Sequence, residues 1–311
     1  MRLAAVVAIA TILINGCAYV GDPKPPALDI PSRVTDLRAA QYGARILVEF
    51  TLPPLTTEGL GLTGVHSVEL RAVSGTSAQN YIVPAQRPGP VTFDFEAQSW
   101  TGQQVALMVR ATGPRGKESE WSNPVSLAVG IPLAVPADFR ARADPQGVRL
   151  TWSGMAGHYR IFRGAGDATP DRLAESDKTE YVDTTAAFGY PYRYFVQAFE
   201  GESRQSEISD VISITPLDTF APAVPAGLTA VAAVNSVELA WERNTEDDFV
   251  GYHIYRSTDG RAFERIAGPI EAPTYSDHAV EAGKKYSYAV TAIDNAGNES
   301  RRSAPVEITA Q

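Results

Sequence analysis

The chain repeats itself, and a repeat of about 93 residues limits the folds open to it more than any other feature. Residues 134–216 and 222–310 align. Trp152 matches Trp241 within LTW and LAW, and Tyr159-Arg160-Ile161-Phe162-Arg163 matches Tyr252-His253-Ile254-Tyr255-Arg256. The run from Tyr192 to Ala198 (YRYFVQA) matches that from Tyr286 to Ala292 (YSYAVTA). These segments alternate with period two and are bounded by Gly, Pro, Asp and Asn clusters, as an all-β sandwich requires. Twenty-five glycines and 22 prolines imply many turns, and no window sustains a helical period.

The repeated residues resemble a known family. A tryptophan on the second strand, a YxIYR third strand and a YxYxVxA sixth strand are similar to the bacterial fibronectin type III module. The last repeat carries the resemblance furthest, through DNAGNES at 294–300 and DTFAPAVPAGLTA at 218–230. The first segment departs from it, with Phe50 in the tryptophan's place and Val105 in that of the corner tyrosine. Its VEFTLP, HSVELRAV, VTFDFEA and VALMVRAT still give four alternating strands in the right order. The resemblance implies three tandem fibronectin type III (immunoglobulin-like) β-sandwiches, at 31–130, 134–216 and 222–311. It also implies tyrosine corners at Tyr192 and Tyr286, and tryptophans filling the space between sheets. A shared E-S-x-x-S pattern (Glu118–Ser122, Glu202–Ser206, Glu299–Ser303) resembles the family's serine-bearing bulge, whose hydroxyls satisfy backbone groups.

The start, MRLAAVVAIATILINGC, reads as a secretory leader over 1–16. Its apolar run, Leu3 to Ile14, is about 12 residues, short of the about 20 that a spanning helix needs. Leu13-Ile14-Asn15-Gly16-Cys17 resembles a bacterial lipobox, which implies cleavage after Gly16 and a diacylglyceryl thioether on Cys17. Cys17 is the sole cysteine, so the cores must stand without disulfides. Residues 17–30 are proline-rich and form an extended tether. Ala18, rather than aspartate, follows the cysteine, and by analogy the anchor belongs in the outer membrane of the cell envelope. The segments at 131–136 and 216–225 read as short, proline-bearing linkers that limit bending.

No residue set reads as a catalytic site. The four histidines (His66, His158, His253, His278) have no metal-ligand spacing, and no cofactor motif is present. Ser276-Asp277-His278 cannot form a triad, because neighbours on a strand point to opposite faces. Glu246-Asp247-Asp248 offers too few oxygens for a hard cation, and Asp294, Asn295 and Asn298 read as a turn. Arg160 and His253 fall at outward positions, on a solvated face. The net charge of −9, without a basic patch, argues against nucleic acid.

One face stands out. If Tyr192 and Tyr194 point inward, Phe195 and Phe199 point outward, and Phe162 does so on the neighbouring third strand. Phe162, Phe195 and Phe199 are the candidate binding face, since clustered exposed aromatics mark partners. The expected function is a non-enzymatic, lipid-anchored envelope protein that binds a protein partner as scaffold or spacer. The alternative is a carbohydrate-binding accessory lipoprotein with a glycan partner, because modules of the resembled family accompany secreted glycosidases. That alternative needs exposed coplanar aromatics.

Overall fold

Period-two alternation is realised strand by strand in the computed structural model, which describes residues 28–155 and 157–311. The leader, Cys17 and the tether up to residue 27 lie outside the described residues. The chain divides into two compact units, Met1–Pro132 with Gly201–Gln205, and Leu133–Glu200 with Ser206–Gln311.

The first unit contains β1 (Arg38–Tyr42), β2 (Arg45–Leu52), β3 (Ser67–Ser74), β4 (Ser77–Val83), β5 (Gly89–Glu96), β6 (Gln104–Thr112) and β7 (Val125–Ala128). Antiparallel ladders join them in the orders β1-β2-β5 and β4-β3-β6-β7. On β2, Ile46, Val48, Phe50 and Leu52 are buried while Arg45, Glu49 and Thr51 are exposed. Each such buried side chain contributes about 1.5–3 kcal/mol.

The second unit holds two sandwiches. One is built from β8 (Ala137–Asp144), β9 (Gly147–Ser153), β10 (Tyr159–Ala165), β11 (Asp171–Ser176), β12 (Glu180–Asp183), β13 (Tyr192–Glu200), β14 (Arg204–Ile208) and β15 (Ile212–Ile214). Its sheets run β12-β9-β8 and β11-β10-β13, with β14 and β15 beside β13. The other is built from β16 (Thr229–Ala233), β17 (Ser236–Ala240), β18 (Phe249–Thr258), β19 (Glu264–Ile270), β20 (Thr274–Asp277), β21 (Lys285–Asp294) and β22 (Val306–Thr309), in the orders β16-β17-β20 and β19-β18-β21-β22. The architecture is all-β, three fibronectin type III-like sandwiches in tandem. No helix among the described residues is long and apolar enough to cross a membrane.

Aromatic residues fix the spacing between the sheets of the two later sandwiches. Trp152 meets Tyr159 edge-on (5.3 Å, 69°), and Trp241 meets Tyr252 in the same way (5.1 Å, 80°). The Tyr192 hydroxyl accepts from the Ala187 N–H at 3.0 Å, and Tyr286 from Glu281 at 3.0 Å, closing two tyrosine corners. Val105 stands in the first sandwich without a hydroxyl, and Trp100, 3% exposed on a 3-10 turn at Gln98–Trp100, fills the nearby core.

Serine hydroxyls clip the sixth strand of every sandwich. Ala111, Ala198 and Ala292 donate their N–H groups to Ser119, Ser206 and Ser300, each 8 residues on. Val109, Val196 and Val290 donate to Ser122, Ser209 and Ser303, each 13 residues on. In the second sandwich the working pair is therefore Ser206 and Ser209, three residues beyond the E-S-x-x-S letters at Glu202–Ser206. The distance counted from the strand fixes the site, and the letters at 202–206 are displaced from it.

A buried carboxylate joins the two sheets of each later sandwich. Asp183, wholly buried on β12, accepts from the Tyr194 hydroxyl at 2.7 Å and from Arg163 at 2.8 Å. Asp277 on β20 does the same with Tyr288 and Arg256, both at 2.8 Å. Backbone register finds the counterparts in the first sandwich. Asp183 faces Val148 and Asp277 faces Val237 as Phe95 faces Ile46, and Arg163↔Tyr194 corresponds to Ala72↔Leu107. There the three polar groups give way to Phe95, Ala72 and Leu107, all buried.

Burial pushes the Asp183 carboxyl up, but hydrogen bonds from Thr185, Tyr194 and Arg163 outweigh it and hold it below the usual carboxylate range. Asp183→Ala strands Arg163 and Tyr194 and should cost roughly 3–5 kcal/mol, read as faster hydrogen exchange in β10 and β13. Because the folded value is depressed, wild type should hold this advantage at neutral pH and lose it as pH falls below about 4. The triple exchange Asp183→Phe, Arg163→Ala, Tyr194→Leu, copying the first sandwich, should recover most of the loss.

Candidate functional site

The same register that aligns the cores aligns three outer sheet faces, and these differ in chemistry. In the first sandwich the face carries Glu69 and Arg71 on β3, Arg110 on β6, and Glu118 and Trp121 after it. Arg110 pairs with Glu69 at 2.7 Å and with Glu118, and its guanidinium lies 4.6 Å over the Trp121 ring; Arg71 lies 5.6 Å from that ring. In the third sandwich the roles are exchanged. The strand position of Arg71 holds Tyr255, and the position of Trp121 holds Arg302, which covers Tyr255 at 4.5 Å and Phe263 at 5.5 Å. Glu299 accepts from the hydroxyls of Tyr255 and Thr291, both at 2.6 Å, and stands 3.3 Å from His253 Nδ1. Burial pushes the Glu299 carboxyl up, but the bonds from Thr291 and Tyr255, with the His253 imidazole close by, bring it below the usual range.

The second sandwich departs from both. Its corresponding residues are Phe162 on β10 and Ile208 on β14, with Phe195 opposite Phe162 across the ladder. The two phenylalanine rings stack at 4.6 Å and 14°. Ile208 is 39% exposed, and both rings are half-buried. Two of the three aromatics picked out from the sequence thus come together. Phe199, also half-buried, stands apart, with the Arg160 guanidinium 4.1 Å over its ring and His158 at 5.9 Å.

The stack also settles the shape of the face. Rings 4.6 Å apart overlap, so each hides one π-face against the other, and they do not lie side by side as a flat platform. One expectation is overturned. Arg160 and His253, placed by alternation on a solvated face, are 6% and 4% exposed. Arg160 is pinned between Glu175, at 3.1 Å, and Phe199. His253 lies between Glu299 and Arg265 under Gly268, so close that a Cβ there would sit 2.6 Å from its Cδ2. Gln197, another outward position, is 4% exposed because its amide donates to the Ser206 carbonyl at 2.8 Å.

Ser276, Asp277 and His278 do not converge. Asp277 turns inward to Tyr288 and Arg256, and Ser276 turns outward and donates to Glu238. Asp218, Asp248 and Asp294 form a group that the sequence kept apart, with carboxylate oxygens within 4.8 Å of one another. Asn298 ties the turn together, its N–H donating to Asp294 at 2.7 Å and its amide to the other Asp294 oxygen at 2.9 Å. The group borders a cleft of about 670 Å³ that also includes Phe188, Phe220 and Glu246. The signal for Asp218 lay in its place in the linker preceding the last repeat. Burial raises the Asp248 carboxyl, and repulsion from Asp218, Asp294 and Glu246 adds to it.

No protein-family model matches the chain. Exoglucanase B of Cellulomonas fimi is 32% identical over 194 residues, 57% of this chain and 17% of that enzyme. An amylopullulanase of Thermoanaerobacter thermohydrosulfuricus is 45% identical over 98 residues, 31% of this chain and 6% of the enzyme. The chain thus spans less than a fifth of the length of these relatives. Among solved structures, an Fn3-like protein from Clostridium thermocellum is 34% identical, covering 30% of this chain and 96% of that one, with a TM-score of 0.26.

The carboxylate group yields a test with a definite sign. A carboxyl whose folded pKa is raised carries a stability cost that appears as pH rises through that value. Asp248→Asn should therefore raise the unfolding temperature at neutral pH in chelator, with the gain disappearing near pH 3. A lower unfolding temperature at neutral pH would mean that the charge is stabilising.

Proposed function

We propose that this chain is a non-catalytic accessory of carbohydrate-processing machinery, held at a bacterial membrane by lipid on Cys17. The observation that carries the reading is the similarity to exoglucanase B. The shared 194 residues are enough for two sandwiches and only 17% of that enzyme, so they correspond to an accessory part of it. The second sandwich offers the contact face, because the equivalent faces of its neighbours are closed by their own ion pairs and cation–aromatic contacts.

Affinity electrophoresis through gels containing β-glucan, α-glucan or chitin tests the reading directly. Retardation by at least one polymer is expected, and Phe162→Ser with Phe195→Ser should abolish it without loss of folded signal. Retardation unchanged in that variant would move the site elsewhere.

The stacked geometry favours a second reading, a protein-binding scaffold or spacer in the envelope. With one face of each ring hidden in the stack, Phe162, Phe195 and Ile208 present edges and aliphatic surface in place of a flat platform, which suits apolar protein contact. A chain that ignores all three polymers, yet loses a cross-linked protein partner on the same double substitution, would establish this reading over the first.

The anchor has its own test. Incorporation of labelled fatty acid and residence in the outer-membrane fraction should both be lost in Cys17→Ser. Each buried methylene is worth about 0.8 kcal/mol, so two or three acyl chains leave no intermediate distribution.

A further inference from the structure

The three sandwiches treat one edge of the four-stranded sheet differently. In the second sandwich that edge is β11, whose pairing slips at Ile161/Phe162 and which carries Asp171, Arg172 and Glu175. In the third it is β19, with two register shifts, Glu264, Arg265 and Pro269. Bulges, charges and proline all discourage a further strand from adding there. β4 in the first sandwich has none of these. It reads SAQNYIV, without charge, proline or glycine, and pairs with β3 without a shift from Val68↔Val83 to Ser74↔Ser77. It ends its sheet, with Ser77 to Asn80 exposed and Ile82 70% exposed.

We propose that β4 is a strand-addition edge whose partner is β4 of a second copy of this chain. The sequence is complementary to itself when two copies run antiparallel about a two-fold axis at Asn80. Asn80 then faces Asn80, Gln79 faces Tyr81, and each exposed Ile82 covers the exposed Ala78 of the other copy. No charge faces a charge in this register, although the chain as a whole carries −9. The interface is isologous, so it closes at two copies and does not propagate. Main-chain hydrogen bonds supply the affinity, and the Ile82–Ala78 contact sets the register.

Residues directly opposed across an antiparallel pair have Cα atoms about 4.5–5.5 Å apart, within disulfide reach. Asn80→Cys in the full chain, with Cys17→Ser so that unlipidated protein offers no second thiol, should therefore oxidise to a covalent dimer. Thr245→Cys, exposed on a loop of the third sandwich, serves as the collision control and should give only a trace. Adding Ile82→Lys should lower the Asn80→Cys dimer yield roughly tenfold, with circular dichroism unchanged because the side chain is exposed. Equal yields at positions 80 and 245, or a yield insensitive to Ile82→Lys, would overturn the proposal. So would an adduct in cell extract that joins Asn80→Cys to a different chain in place of the dimer.

Discussion

A carboxylate shared between a tyrosine and an arginine, sealed from water, ties one sheet to the other in the second and third sandwiches. Asp183 and Asp277 sit on the three-stranded sheet, and their partners sit on the four-stranded one. A charge in that position is tolerable only with its hydrogen bonds made, so the bridge permits a single sliding position of one sheet over the other. The tryptophan–tyrosine contacts, the tyrosine corners and the serine clips all lie on strands whose relative placement the bridge sets. Its replacement by Phe95, Ala72 and Leu107 is the physical content of the first sandwich's divergence. Apolar volume there takes over the joining of the sheets, with a looser demand on direction.

The partners of the bridge recur at the same place in both repeats, but the letters do not join them, because their contact crosses from one sheet to the other. Arg163 and Arg256 close the YxIxR strands, Tyr194 and Tyr288 lie within YxYxV, and Asp183 and Asp277 end short strands. Period-two alternation assigned inner and outer positions of the sixth strand correctly, with Tyr194, Val196 and Ala198 all at 0% exposure. Alternation says which way a side chain leaves the sheet, and nothing about what then lies over it. Arg160, Gln197 and His253 leave outward and are buried all the same, because Glu175, Ser206, Glu299 and Arg265 come from segments whose reach the strand pattern does not encode. The same gap separates an outward Phe162 from the ring stack that it forms with Phe195.

The outer faces show how one backbone frame carries different surface chemistry. Arginine against tryptophan in the first sandwich becomes tyrosine against arginine in the third, with cation and ring exchanged between strand and bulge. In both, the face is satisfied within its own module. The second sandwich replaces the cation with Ile208 and the ring partner with Phe162, leaving apolar surface where its neighbours have closed networks. A site of this kind arises by subtracting a self-contact, and its neighbours supply the comparison that makes it visible.

The serine clip has a consequence for how such chains change length. From the sixth strand to the first clipping hydroxyl the count is 8 residues in every sandwich, and to the second it is 13. The connection from the second strand to the third, by contrast, runs over 53–66, 154–158 and 241–248. One loop is thus a ruler and the other is slack. An insertion after the sixth strand would carry the hydroxyls out of reach of two buried N–H groups, whereas the slack loop already accepts large differences. Grafted loops and inherited insertions should accumulate on the slack side, and the clipped turn should keep its length while its letters drift.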